Sequence, residues 1–413
     1  MSQIDDLIAE LCPGGVEYHS LDEKGFFFGG LSGKSKADFT GGNARFVSYV
    51  NILNNPATNT EADNFVTVGP DERQRALQYR DVLFTGSSET PNEVGMSSVV
   101  TTEIREPQYL NSFSIGYRLN DPKILDPDFM KHLFRSGSLR KQIIGTASGV
   151  TRFNVSKARL GKVLIPVPPL PVQEEIVRIL DTFAELEAEL EAELEARRQQ
   201  YEHYRDQLLT FGDDVEFKTL DKVGTLVRGN GMPKSDFAES GVGAIHYGQI
   251  YTFYGTCTTE TISFVAPEVA ARLTKVDPGD VIITNTSENL NDVGKAVAWI
   301  GDHQIVIGGH ATVLKHHENA KYIAYYLQTP DFFLQKKKLA TGTKVIDVSA
   351  NQLAKIKIPV PSLPEQERIV AILDKFDALV NDLSVGLPAE LNARRKQYEH
   401  YRNRLLTFEE KVA

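Results

Sequence analysis

Ile165-Pro-Val-Pro-Pro-Leu-Pro-Val-Gln-Glu-Glu-Ile-Val-Arg-Ile-Leu-Asp-Thr-Phe183 returns further along the chain as Ile358-Pro-Val-Pro-Ser-Leu-Pro-Glu-Gln-Glu-Arg-Ile-Val-Ala-Ile-Leu-Asp-Lys-Phe376, identical at 14 of 19 positions. A second block, Ala196-Arg-Arg-Gln-Gln-Tyr-Glu-His-Tyr-Arg-Asp-Gln-Leu-Leu-Thr-Phe211, returns from Ala393 to Phe408 at 13 of 16. The offset grows from 193 to 197 between the blocks, so the second copy carries four additional residues. Such self-similarity takes precedence over local readings, because it sets the architecture.

Each repeated segment predicts a strand stopped by Pro166 or Pro359, then a helix beginning near Pro171 or Pro364, where proline is tolerated in the first turn. Apolar residues then recur three, four or seven apart. The first stripe runs Ile176, Ile179, Phe183, Leu186, Leu190, Leu194, Tyr201, Tyr204 and Leu208. The second runs Ile369, Ile372, Phe376, Leu379, Leu383, Leu387, Leu391, Tyr398, Tyr401 and Leu405. A single stripe of this kind predicts a helix facing a partner helix. The simplest arrangement pairs the two copies as an antiparallel coiled coil across a pseudo-two-fold axis. Gly386 and Pro388 predict a kink or short break in the second copy.

The tetrads Ala184-Glu-Leu-Glu, Ala188-Glu-Leu-Glu and Ala192-Glu-Leu-Glu195 lie within the first stripe. Four residues turn a helix by about 400° and lengthen it by ~6 Å, so whole tetrads can be added while the leucines stay on nearly one face. A solvated acidic helix is the plain reading. The regular tetrad between two matching domains favours a ruler.

The globular halves repeat more faintly. Val16-Glu17-Tyr18 matches Val215-Glu216-Phe217, Asp81-Val-Leu-Phe-Thr85 matches Asp280-Val-Ile-Ile-Thr284, and Val94-Gly95 matches Val293-Gly294. Between these anchors the halves diverge freely. Short runs rich in Val, Ile, Thr and Phe predict strands joined by turns, with one helical stretch per half near Pro127–Ile144 and Ala320–Leu339. The expected class is therefore α+β. Two mixed domains, 1–165 and 213–358, are each followed by a helical segment, 166–212 and 359–413. A drifting duplication would not preserve solvent-facing helices while scrambling globular domains, so the scaffold is the constrained part.

The net charge of −10 argues against a chain that coats nucleic acid along its whole length. However, nine acidic residues and one Arg fall between Glu174 and Ala196, which leaves the remainder near neutrality and able to present a basic face. The two cysteines, Cys12 and Cys257, predict neither disulfide nor structural zinc, and no apolar run approaches a membrane span. With Asp5 and Asp6 ahead of any apolar stretch, no signal peptide is expected. A cytoplasmic protein is expected.

The duplicated Ile-Pro-Val-Pro-x-Leu-x-x-Gln-x-x-Ile-Val-x-Ile-Leu-Asp and Arg-x-x-Gln-Tyr-x-x-Tyr-Arg-x-x-Leu-Leu blocks resemble the conserved regions of type I restriction–modification specificity subunits. The resemblance covers the whole chain, including two target-recognition domains, and the tetrads resemble the subgroup in which such repeats set the gap between half-sites. It implies a non-catalytic subunit reading a bipartite, asymmetric duplex DNA target. It also implies two adenine methyltransferase and two endonuclease or translocase partners, which would use S-adenosylmethionine, ATP and magnesium.

No catalytic constellation emerges from the residues themselves. Phe28-Gly-Gly-Leu-Ser-Gly33-Lys34-Ser35 resembles a phosphate-binding loop, but Phe28 stands where the pattern requires glycine. Asn54-Asn55-Pro56-Ala57 lacks the aromatic residue that an amino-methyltransferase stacks on its flipped base. The histidines show no metal-ligand spacing, and no metal site is expected. The absence of these motifs argues against a self-contained enzyme. A scaffold holding two protein ligands apart is the alternative to DNA recognition.

DNA contact requires cations for phosphates and polar side chains for base edges. Polar, turn-rich loops at matched places supply the candidates. One pair holds Ser87, Ser88 and Asn92 against Thr286, Ser287 and Asn289; the other holds Thr151 and Arg152 against Thr343 and Lys344. The basic runs Arg135, Arg140 and Lys141, and Lys336, Lys337 and Lys338, are candidates for tracking phosphates. Lys34, Lys36, Lys234, Tyr247 and Gln249 complete the set.

Overall fold

The computed structural model describes residues 2–382 and 384–411. It divides into two compact units, one formed by residues 1–189 with 392–413, the other by residues 190–391.

In the first unit, the run Val82–Thr85 is wholly buried, because both of its faces are covered. Val82 and Phe84 join a cluster with Phe129, Met130, Leu133 and Phe134. Leu83, pointing the other way, joins Phe28, Val47, Ile52 and Leu110. This is the two-residue alternation of a strand sandwiched between helices and a second sheet. The four-stranded antiparallel sheet runs in the order Gly25–Gly29, Ser114–Leu119, Val82–Thr85, Ser97–Val99. The smaller second sheet contains one parallel pair, Ala44–Val47 with Gln108–Leu110.

The second unit follows the same plan. Its sheet runs Gly224–Arg228, Ala311–His316, Val281–Thr284, Ala296–Trp299, Cys257–Thr258. Val281 and Ile283 face Tyr322, Ile323 and Phe332, whereas Ile282 faces Trp299, Ile305 and Val313. The parallel pair recurs as Val242–Ile245 with Ile305–Ile307.

The predicted helical stretch of each half is in fact two helices, Pro127–Leu133 with Gly137–Gly145 and Ala320–Tyr326 with Pro330–Leu339. Pro330 cannot extend the preceding helix, and Thr329 caps the next one by accepting from the Phe332 N–H.

Strand Leu164–Pro166 pairs with Tyr18–Ser20, and Lys357–Pro359 with Phe217–Thr219. After the prolines come the repeated helices. The first is unbroken from Leu170 to Leu208. The second is interrupted, Leu363–Asn381 followed by Leu387–Leu405. Asp382 Oδ1 accepts from Ser384 N–H and Val385 N–H at the break. Leu383 lies outside the described residues.

The stripes are buried more unevenly than the spacing predicts. Ile176 and Ile369 are fully buried, and Leu194 and Leu391 nearly so, but Leu186 is 45% and Leu379 39% exposed. Leu190 is half-buried. The reason is the helix period. Each tetrad advances its leucine by ~40°, so Leu186 and Leu194 stand ~80° apart and cannot both face one core. Within the first unit, Phe183 stacks on Tyr401 with ring centroids 5.1 Å apart. Within the second, Phe376 stacks on Tyr204 at 5.4 Å.

The glutamine of each repeated block binds helix to domain. Gln173 is fully buried; its Oε1 accepts from Asp126 N–H at 2.7 Å, and its Nε2 donates to Ile124 O and Pro168 O. Gln366 repeats this arrangement, accepting from Asn319 N–H at 2.9 Å and donating to Glu318 Oε2 and Pro361 O. Asp126 and Asn319 are the N-caps of helices Pro127–Leu133 and Ala320–Tyr326, so one amide fixes both a helix start and the proline turn. Truncation strands several buried polar groups at ~1–3 kcal/mol each. Gln173→Ala and Gln366→Ala are each expected to destabilise the unit concerned by about 2–4 kcal/mol in denaturant unfolding. Gln199→Ala, on an exposed helix face, is expected to change stability by less than ~0.5 kcal/mol.

Candidate nucleic-acid interface

The strand ending at Thr85 leads into a loop that the fold holds at both ends. Buried Thr85 Oγ1 donates to Glu93 O and accepts from Met96 N–H. Gly95 closes the loop at φ +65°, where an added Cβ would lie 2.5 Å from Ile143 Cγ2. In the second unit, Thr284 Oγ1 donates to Lys295 O, and Gly294 closes the matching loop at φ +79°. The matched Val-Gly pairs are therefore loop closures.

Inside each loop, two residues form a short strand. Ser87 and Ser88 pair with Asn154 and Phe153, and Asn154 and Val155 pair in turn with Ser148 and Ala147, giving a three-stranded ribbon. In the second unit, Thr286 and Ser287 pair with Asp347 and Ile346, and the third strand is reduced to a bridge between Thr341 and Asp347. The two candidate loops of each half, about sixty residues apart in sequence, thus lie side by side.

Their tips are tight turns. Gly149 has φ +142° and Gly342 φ +100°; a Cβ there would sit 1.9 Å from Arg152 O and 2.0 Å from Val345 O respectively. Thr151, Arg152, Thr343 and Lys344 are all exposed on these turns. Arg152 donates through Nε and Nη2 to Ser87 Oγ at 3.1 and 3.0 Å, so the two loops share a side-chain contact that holds the guanidinium in place. Arg159, which the sequence pattern did not single out, donates to Ser148 Oγ on the same ribbon.

The family profile described as "Type I restriction modification DNA specificity domain" matches residues 45–196 and again 212–393. The chain belongs to this family. It is 36% identical over 263 residues to the EcoR124I/EcoR124II specificity subunit of Escherichia coli, covering 60% of this chain and 63% of that subunit. It is 32% identical to a putative type I restriction enzyme specificity subunit of Haemophilus influenzae, over 63% of this chain and 68% of the other. The chain thus spans just under two thirds of the Escherichia coli relative. A chain from a solved type I R-M system aligns over 95% of this chain and 98% of its own length, with a TM-score of 0.61 at 18% identity, a likeness of fold.

Several basic residues expected at a phosphate surface of this specificity-family fold have other partners. Arg140 donates to the carbonyls of Asn92, Val94 and Gly95. Lys336, at the equivalent place, is buried and donates to Asn291 O and Val293 O. Each cation donates to the carbonyls at the end of its loop, so these two brace the loops from behind. Burial lowers the pKa of Arg140 to about 10 and that of Lys336 to about 8. Arg135 is likewise committed to Ser97 O, Ile52 O and Leu53 O. Lys34 has its amine buried against Thr67 O and Glu72, whose carboxyl it holds down at about 2. Gln249 completes the cap of helix Tyr247–Thr252 and donates to Ser263 Oγ.

Other expected residues serve turns. Ser88 Oγ accepts from Thr90 N–H, and Asn289 Oδ1 accepts from Asp292 N–H. Asn92, Lys36, Lys141, Lys234, Lys337 and Lys338 are exposed. Tyr247 packs its ring 4.8 Å from His310 and 4.5 Å from His246. Among the described residues no group of three or more His, Cys, Asp or Glu could hold a metal, and no helix is long and apolar enough to cross a membrane.

Lys336 supplies a pH test. Its folded-state pKa of about 8 lies below the ordinary 10.5, so between those values the unfolded chain holds the extra proton. Stability therefore rises with pH across this window. The wild type is expected to gain stability from pH 8 to 10 relative to Lys336→Met. At pH 7 the variant is expected to show about tenfold faster amide hydrogen exchange in residues 285–294, with Lys336→Arg restoring protection as Arg140 provides it in the first unit.

Proposed function

We propose that this chain is the DNA-recognition subunit of a type I restriction–modification complex, with each unit reading one half of a bipartite, asymmetric duplex target. The observation that carries the reading is the recurrence, on one repeated scaffold, of two adjacent loops with an exposed cation at the matching turn, Arg152 in one and Lys344 in the other. Family membership and the Escherichia coli specificity subunit support it. The residues between the matched anchors differ, which accords with half-sites of different sequence.

In this reading the chain is not an enzyme. Two adenine methyltransferase subunits and two endonuclease or translocase subunits supply S-adenosylmethionine-dependent methylation and ATP- and magnesium-dependent cleavage, in the cytoplasm. The repeated helices pair as an antiparallel coiled coil and set the gap between half-sites. The Phe183–Tyr401 and Phe376–Tyr204 stacks support this pairing, since each joins the start of one repeated segment to the end of the other.

The full chain with its co-purifying partners is expected to bind duplex DNA with affinity falling about 10- to 1000-fold between 50 and 200 mM salt, as several phosphate contacts require. Salt-insensitive or absent duplex binding favours the protein scaffold instead. Deleting the tetrad Ala188–Glu191 shortens the helix by ~6 Å. This is expected to change the spacer by one or two base pairs and leave both half-sites intact. Altered half-sites with an unchanged spacer contradict the ruler.

A further inference from the structure

One position beside the reading loops is matched in the two units yet opposite in chemistry. In the first unit, Gly86, the first residue of the loop, donates its N–H to Phe113 O at 3.0 Å. In the second, Asn285 donates in the same way to His310 O at 2.8 Å. Phe113 immediately precedes strand Ser114–Leu119, and His310 immediately precedes strand Ala311–His316. The scaffold therefore presents the same backbone position next to each loop.

Both side chains are displayed from fixed supports. Phe113 is 71% exposed, yet its turn is held by buried Asn111, whose Oδ1 accepts from Phe113 N–H and Ser114 Oγ and whose Nδ2 donates to Val47 O. Gly86 approaches so closely that a Cβ there would lie 2.4 Å from Phe113 O. His310 is exposed, with Nδ1 in a 3.0 Å hydrogen bond to Thr286 Oγ1 and its ring braced by Tyr247. The Tyr251 hydroxyl fixes the same strand by donating to Thr286 O. Nε2 has no hydrogen-bond partner among the described residues. An exposed phenyl on an anchored turn contributes nothing to the core. A rigid aromatic loses little conformational entropy when it meets a ligand.

Base edges in the major groove offer an apolar group only at the thymine methyl, and purines offer acceptors at N7 and, in guanine, O6. We propose that Phe113 and His310 are specificity-determining residues of the two half-sites. Phe113 makes an apolar contact to a thymine methyl in one, and His310 Nε2–H donates to a purine acceptor in the other. The assignment rests on the DNA-recognition reading above.

The test selects duplexes from a randomised pool with the full chain and its co-purifying partners. Wild type is compared with Phe113→Ala, Phe113→His, His310→Ala and His310→Phe. Because both side chains are exposed, unchanged thermal unfolding is expected in all four. The first two variants are expected to lose about 5- to 150-fold of the preference at one base pair of one half-site, the range for a single base contact, with the other half-site and the spacer unchanged. The His310 variants are expected to do the same in the other half-site. Selected sequences identical to wild type, or an affinity loss equal for target and random duplexes, overturn the proposal. A wild type that selects no bipartite sequence overturns the DNA reading itself, and is seen before any variant is made.

Discussion

A single buried side-chain amide organises each half of this protein. Gln173 and Gln366 sit where a proline turn, the start of a long helix and the cap of a domain helix converge, and each satisfies backbone groups that would otherwise be buried without partners. The cost of leaving such groups unpaired makes the junction intolerant of change. This is why the repeated block is retained at near identity while the surfaces beyond it differ. The helices cannot shift relative to their domain without breaking these bonds, so the loops are carried on a fixed mount.

The loops are shaped by the same logic. A buried threonine and a positive-φ glycine pin their bases, and a cation from the neighbouring helix gathers the carbonyls at their ends. With Arg140 and Lys336 used in this way, the exposed cations of the turns at 149–152 and 342–345 are Arg152 and Lys344. In the proposed function, support and recognition are divided between different residues of the same small region.

The duplicated architecture, the α+β class, the proline-stopped strands and the interrupted second helix could be read from the sequence, because each depends on local chemistry or on direct self-comparison. The correspondence of the loops between the halves was legible too, as matched anchors, but their side-by-side placement within each half was not, because it depends on strand pairing across about sixty residues. The commitment of cations to loop carbonyls was not legible either. Arg140 and Lys336 look like surface residues in a basic run, and only the path of a loop some forty residues earlier gives them carbonyl partners. The exposure of Leu186 was missed for a different reason: a four-residue repeat nearly matches the helix period, and the ~40° discrepancy accumulates. Phe113 and His310 carry no motif, since what marks them is their shared backbone position.

In the proposed function, two differing readers on one repeated scaffold recognise two unlike half-sites. The most direct measurement maps adenine methylation across the genome in cells with and without this chain. The expected result is a set of sites present only with the chain and described by two unlike half-sites separated by a constant gap. An unchanged methylation map, or chain-dependent sites forming one contiguous sequence, would contradict it.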